Sequence, residues 1–318
     1  MSANGVDPPL QPSSRWIQVP SDSDGQTSIR LHVKHLQPPN ADPSAPTILF
    51  LPFWGGCAST YDAIPSHAAA AGLKNIGVAL SYRGTGESET SDADSIHEHS
   101  VEALANDVLA IMRSEQISDL VPSGEFVVVA HSMSAKVAWL VLRDIGRGLF
   151  LHGGIQKVVI RSLLLLAPAP PGPLVLPANI RQQQLQAYEN LENATFTVEN
   201  ILTNGNLDDG CMNQLARDAV AMSTGAKNGW VELGMKLNCT EVVDQVVRLV
   251  PDLKICVLAG RQDVVETVER VQKETVDVLR GLRGGVVSFK VVESCGHLLP
   301  VEAPAEVVRE LKRLLEGC

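Results

Sequence analysis

A run of apolar residues, Phe126-Val127-Val128-Val129-Ala130, stops at His131-Ser132, and a stretch of helical character, Lys136 to Arg143, follows almost at once. A short unbroken apolar run bounded in this way describes a strand buried on both faces. The residues two before and two after Ser132 are small, Ala130 and Ser134. A strand that passes straight into a helix must turn sharply, and small neighbours make room for that turn. The central side chain is then lifted out beyond the strand end. For a serine this is the layout of a nucleophile elbow. The plainer alternative is that Ser132 caps the helix, a position serine favours.

Other segments extend the pattern. Thr47 to Leu51, Ile76 to Leu80, Val158 to Ala167, Lys254 to Ala259 and Val286 to Val292 read as further buried strands. Ser28 to His35 alternates apolar and polar residues, as in a half-exposed strand near a sheet edge. Ile96 to Ser114 places Val101, Leu104, Val108, Ile111 and Met112 on one face of an amphipathic helix, and Val301 to Leu315 closes the chain similarly. Strands alternating with helices imply an α/β fold, a mostly parallel sheet of about eight strands with helices on both faces.

In such sheets ligands bind beyond the carboxyl ends of the strands. Two strand ends besides that of Ser132 carry chemistry: Gly260-Arg261-Gln262-Asp263 and Glu293-Ser294-Cys295-Gly296-His297. Together they would deliver Ser132, Asp263 and His297 to one crevice. A serine hydroxyl is a weak nucleophile until a neighbouring base takes its proton, and the base works best when an acid orients it. Asp263 could instead be a strand-end turn residue. Glu266, one helical turn on, is a rival carboxylate, and His131 is expected to be buried and structurally hydrogen-bonded.

With Leu51-Pro52-Phe53-Trp54-Gly55-Gly56 and Tyr82-Arg83-Gly84-Thr85-Gly86-Glu87-Ser88 added to these segments, the chain resembles the α/β-hydrolase superfamily, on the side of its esterase- or lactonase-like serine hydrolases. The motifs run in family order from Leu51 to His297. Two departures stand out. Ala130 and Ser134 replace the elbow glycines, and Pro52-Phe53 replaces the usual His-Gly. The resemblance implies that Ser132 attacks a carbonyl carbon, His297 carries the proton and Asp263 orients the imidazole. It implies an oxyanion hole formed by the N–H groups of Trp54 and Met133, with Phe53, Trp54, Met133 and Leu298 against the substrate. An aspartate at the elbow would mark haloalkane dehalogenases or epoxide hydrolases, and Ser132 argues against both.

The resemblance also organises the chain. Residues 1–14 are expected to be loose, and 15–169 with 251–318 form the core. Residues 170–250 form a helical cap inserted after Pro168-Ala169-Pro170-Pro171-Gly172-Pro173, with helices over Ala178 to Asn190 and Asp208 to Ala221. Leu174, Leu176, Tyr188, Phe196, Ile201, Met222 and Trp230 are the cap's candidate lining residues, most of them needed for its own packing. The implied activity is cofactor-independent cleavage of an ester, thioester or lactone of small to medium, apolar size through an acyl-enzyme. Carbon–carbon hydrolysis or acyl transfer by the same triad stays open. So does a non-catalytic ligand-binding or scaffold role, which the two departures motivate.

Composition narrows the partners. A chain of 318 residues with 45% hydrophobic content can bury a large core and an insertion. A net charge of -10 without a basic block argues against nucleic acid and anionic membrane surfaces. No apolar run approaches the roughly 20 residues that span a bilayer, and the polar, proline-rich start does not read as a secretory signal. The six cysteines are scattered without CxxC spacing, against a zinc site or a disulfide framework. The expectation is a cytoplasmic monomer or homodimer that needs no metal and meets a small-molecule substrate. His97-Glu98-His99 reads as the exposed start of a helix rather than a metal motif.

Overall fold

The computed structural model describes residues 12–21, 27–38, 40–148, 158–283 and 287–316. Its strands are β1 (Ser13–Pro20), β2 (Ser28–Leu36), β3 (Thr47–Leu51), β4 (Gly77–Leu80), β5 (Glu125–His131), β6 (Val159–Leu166), β7 (Lys254–Gly260) and β8 (Ser288–Val292). They form one eight-stranded sheet in the order β1-β2-β4-β3-β5-β6-β7-β8. The first two pairings, β1 with β2 and β2 with β4, are antiparallel, and every other pairing is parallel. The helices are α1 (Ile64–Ala70), α2 (Val101–Arg113), α3 (Ser134–Gly146), α4 (Ala178–Gln186), α5 (Leu191–Thr197), α6 (Asp209–Ala221), α7 (Thr224–Glu232), α8 (Thr240–Leu249), α9 (Val268–Val271), α10 (Asp277–Arg283), α11 (Leu299–Glu302) and α12 (Pro304–Glu316).

Alternation along the strands sorts side chains to two cores. Val128, Leu163, Leu165, Ile255 and Val257 pack towards α2, α3 and α8. Val127, Val129, Leu164, Leu166 and Leu258 pack towards α1 and α12. This two-sided burial is why the parallel strands read as unbroken apolar runs. Among the described residues Trp139 on α3 is the largest side chain buried almost completely.

Several boundaries differ from the sequence expectation. β1 begins at Ser13, so Ser13 and Ser14 belong to the sheet rather than to a loose terminus; residues 1–11 lie outside the described residues. Only Ile17 and Val19 of β1 are buried, and Trp16 is 43% exposed, so the strand carries too short an alternation to stand out in the sequence. Val286, expected to open the last strand, also lies outside the described residues. The helix expected from Ile96 starts at Val101, because the Ser100 side chain caps it by accepting from Ala103 N–H. His99 is accordingly not the exposed start of a helix but a buried residue of the preceding turn, bonded through Nδ1 to Ser95 O at 2.8 Å. The helix expected to reach Asn190 stops at Gln186, and Asn190 instead caps α5. Asp208 likewise caps α6 rather than belonging to it.

Helices α4 to α7 lie between β6 and β7 in the chain and cover the carboxyl ends of the strands. Tyr188, Val198, Leu202, Leu215 and Met222 form a cluster of their own that also takes in Phe53 and Leu298 from the strand-end loops. The helix that follows them, α8, packs Val243 and Val246 into the core beside α3.

The loop after β4 is tied down by a buried ion pair. Arg83 Nε and Nη2 donate to Asp107 of α2 at 2.7 and 2.6 Å. Burial raises the Asp107 pKa despite the guanidinium beside it. Without Asp107 the Arg83 guanidinium would keep only Glu98 at 3.5 Å and Ser21 O at 3.2 Å, so Asp107→Ala is expected to cost about 2–4 kcal/mol of stability by chemical denaturation. A loss below about 1 kcal/mol would mean that Glu98, Ser21 O or water takes over the guanidinium.

Candidate active site

The β5–α3 turn is the centre of the site. Ser132 adopts φ 54°, the left-handed conformation that L-residues avoid. Neighbouring backbone holds it there. Ser132 N–H donates to Leu166 O on β6 at 2.8 Å, and its C=O accepts from Ala135 at 3.0 Å and Ala169 at 3.1 Å. The alternative role as helix cap is not adopted: Met133 occupies the N-cap position and no side chain caps α3.

His297 and Asp263 meet beyond β8 and β7. His297 Nδ1 donates to Asp263 Oδ2 at 2.8 Å, and Asp263 Oδ1 accepts from the N–H groups of Val265 and Glu266. Both side chains are almost fully buried. Burial lowers the His297 pKa, but the Asp263 charge and hydrogen bond outweigh it and the net shift is upward. For Asp263 burial acts upward and the His297 interaction, with the two N–H bonds, wins downward. Glu266, the rival acid, makes no bond to His297. Burial pushes its carboxyl up to about 8, and its Oε2 lacks a hydrogen-bond partner, with Arg270 no nearer than 3.7 Å.

His131 connects the elbow to the histidine loop. Its Nε2 donates to His297 O at 2.8 Å, and the two rings lie 5.3 Å apart. Complete burial pulls the His131 pKa down to about 3, so the ring stays neutral. Ser132 is the next residue in sequence after this tie to the His297 loop. Among the described residues no hydrogen bond joins Ser132 Oγ to His297, a looseness familiar in unliganded sites.

The N–H groups assigned to an oxyanion hole, those of Trp54 and Met133, are likewise bonded to no protein acceptor among the described residues. A small cavity opens beside them. Phe53, Trp54, Met133, Met222, Ala226 and Trp230 line it, Arg83, Thr85 and His99 add polar groups, and Ser132 and His297 are not among its lining residues.

The sequence profile of the Alpha/beta hydrolase family matches residues 48–310. The chain belongs to the alpha/beta hydrolase family. The coarse activity that goes with this membership is hydrolysis. No curated protein matches the chain in sequence. Solved structures share its fold: a bromoperoxidase from Bacillus anthracis (12% identity, TM-score 0.72, covering 96% of this chain and 100% of that one), an esterase from Exiguobacterium antarcticum (13%, 0.67, 95% and 98%), and the 2-hydroxy-6-oxo-6-phenylhexa-2,4-dienoate hydrolase of a Rhodococcus strain (15%, 0.67, 96% and 100%).

Against the family pattern the elbow substitution is informative. The Ser134 hydroxyl donates to Pro52 O and receives the Tyr82 hydroxyl at 2.7 Å. A glycine there could do neither. Of the residues expected against the substrate, Phe53, Trp54 and Met133 line the cavity, whereas Leu298 is wholly buried with Phe53 and Leu202 and is not among the lining residues. From the cap list Met222 and Trp230 line it, and Phe196 and Ile201 point outward, 60% and 39% exposed. Among the described residues no helix is long and apolar enough to cross a membrane.

Glu302 on α11 was not singled out in the sequence. Its carboxylate accepts from Gly296 N–H and Leu298 N–H at 3.1 Å each, and from Asn204 N–H at 2.8 Å, bracketing His297. An acidic residue one turn after a Gly-His pair, within an apolar stretch, is the signal that could have marked it. Glu302→Ala should leave these N–H groups short of an acceptor and cost about 1–3 kcal/mol. Hydrogen exchange at Gly296 and Leu298 should rise in parallel; unchanged exchange would show that the loop holds itself.

Proposed function

We propose that this protein is a cofactor-independent serine hydrolase that cleaves an ester, thioester or lactone of small to medium, largely apolar size. The observation that carries the proposal is the Asp263–His297 pair, bonded at 2.8 Å, with the histidine loop tied to His131, the residue before a serine held at φ 54°. Ser132 Oγ attacks the carbonyl carbon while its proton passes to His297 Nε2. Negative charge gathers on the carbonyl oxygen, where the N–H groups of Trp54 and Met133 receive it. Collapse breaks the bond to the leaving group, which takes the proton from His297, and the acyl group stays on Ser132. Water, deprotonated by His297, then releases the acid and restores the serine. Asp263 keeps the proton on Nδ1 and so leaves Nε2 free to accept. The apolar walls of the cavity, Phe53, Met133, Met222 and Trp230, favour an uncharged acyl or alcohol portion. We assign α4 to α7 the part of a cap that encloses it.

Intact mass after treatment with a small fluorophosphonate tests the proposal. One adduct is expected on the wild type and none on Ser132→Ala, with p-nitrophenyl acetate hydrolysis lost in the same variant and the fold retained. An adduct or turnover that survives in clean Ser132→Ala would falsify it.

The base must be neutral to act, and the His297 pKa is raised above its ordinary value of 6.5. The kcat/KM profile should therefore rise with pH through an inflection above that value. Asp263→Asn removes the charge that raises it. The inflection should move down while kcat falls by roughly 10⁴-fold through the wrong imidazole tautomer. An inflection that does not move would separate the observed ionisation from His297.

A further inference from the structure

The expected oxyanion donor Trp54 sits in a tight turn whose three successive carbonyls are all occupied. Pro52 O accepts from the Ser134 hydroxyl of the elbow. Phe53 O accepts from Gly56 N–H at 3.0 Å, which closes the turn. Trp54 O accepts from the Tyr188 hydroxyl, between α4 and α5, at 3.1 Å. In a trans peptide the N–H points opposite to the C=O of the same unit. Anchoring the carbonyls of Pro52, Phe53 and Trp54 therefore fixes the plane that carries Trp54 N–H and the planes on either side of it.

The Tyr188 contact is built rather than incidental. Tyr188 is 1% exposed and its ring lies 4.5 Å from that of Trp54. Gly55 has φ 107°, and a Cβ there would come within 2.6 Å of the Tyr188 hydroxyl oxygen, so the turn and the tyrosine fit only with glycine between them. Trp54 Nε1 donates to Lys227 O on α7 at 2.9 Å, a second bond to the covering helices. The same helices reach the histidine loop, where His297 N–H donates to Leu202 O at 2.8 Å.

We propose that Tyr188 and Ser134 are positioning residues that clamp the oxyanion turn from opposite sides, so that the covering helices belong to the catalytic apparatus and stay seated during chemistry. This deepens, and rests on, the serine-hydrolase proposal. Lifting these helices would free Trp54 O and let the turn relax, and Trp54 N–H would lose its aim. Substrate is then expected to enter past the rim of the cavity, with the Tyr188–Trp54 contact unbroken.

The test is hydrogen exchange of the Phe53–Cys57 amides together with p-nitrophenyl acetate kinetics, in Tyr188→Phe and Ser134→Ala. Both variants keep the side-chain bulk of the site nearly unchanged. Arg248→Ala, which removes the exposed pair between Arg248 and Asp244 on α8 and touches neither the covering helices nor the site loops, is the control. In both test variants exchange at Gly56 should rise. Their kcat should fall roughly 10-fold or more, short of the 10²–10³ that a missing oxyanion donor costs, with KM within about two-fold. The control should change neither. Unchanged exchange in Tyr188→Phe overturns the clamp whatever the kinetics. Raised exchange with unchanged kcat overturns its role in catalysis. A wild type that neither turns over substrate nor takes up fluorophosphonate defeats the hydrolase proposal and the catalytic role with it, and exchange still decides whether the clamp exists.

Discussion

The geometry of the site hangs on one backbone conformation, the positive φ of Ser132. A left-handed L-residue costs roughly 1–2 kcal/mol, so it persists only where its surroundings over-determine it. Here the β6 end does so, through Leu166 O and Ala169 N–H on either side of the serine. The consequence is a division of labour among four consecutive residues. His131 turns inward to hold the His297 carbonyl. Ser132 takes the left-handed conformation at the turn. Met133 leaves its N–H unspent, and Ser134 reaches back to the loop after β3. A relaxed turn would disperse all four.

Burial sets the electrostatics around that turn. Two histidines lie ring to ring, yet they shift in opposite directions. His131 has only a carbonyl as partner and falls to about 3, whereas His297 has a carboxylate and rises. Low polarity strengthens both effects, since an unpaired charge is costly there and a paired one strongly favoured. Glu266 follows the same rule. Without a strong cationic partner its carboxyl is pushed up to about 8, which favours its neutral form beside the Asp263–His297 pair. Lys136, at the start of α3, is pulled down to about 8 by burial and donates to Gly234 O and Leu237 O in the turn that follows α7. The elbow helix is thus tied to the covering segment by a lysine whose hydrogen bonds go to backbone carbonyls.

The strands and helices that were legible in the sequence share one property: each is long and buried enough for its pattern to repeat. β5, β6 and β7 announced themselves as apolar runs because both faces are covered. β1 did not, with only Ile17 and Val19 turned inward. Helix ends fall elsewhere than the apolar period suggests where a side chain, such as that of Ser100 or Asn190, closes the first turn, since that period does not mark where a cap takes over. In the covering segment, apolar side chains could be named but not sorted. Phe196 and Ile201 face solvent, Met222 and Trp230 face the cavity, and Tyr188 spends its hydroxyl on the Trp54 carbonyl.

The sequence by itself determined the α/β architecture and the order in which a serine, an acid and a histidine arrive at strand ends. Those features are local: an apolar run, a turn of small residues, a side chain just past a strand. The tertiary structure alone decided which carboxylate the imidazole meets, because Asp263 and Glu266 are separated by only three positions in the chain. It alone gave the Ser134 hydroxyl a partner on Pro52, brought Glu302 back onto the histidine loop and set Tyr188 against the oxyanion turn. Each of these is a hydrogen bond between segments distant in the chain or folded sharply back. Such bonds leave no periodicity in the sequence and exist only once the surrounding core has fixed both ends.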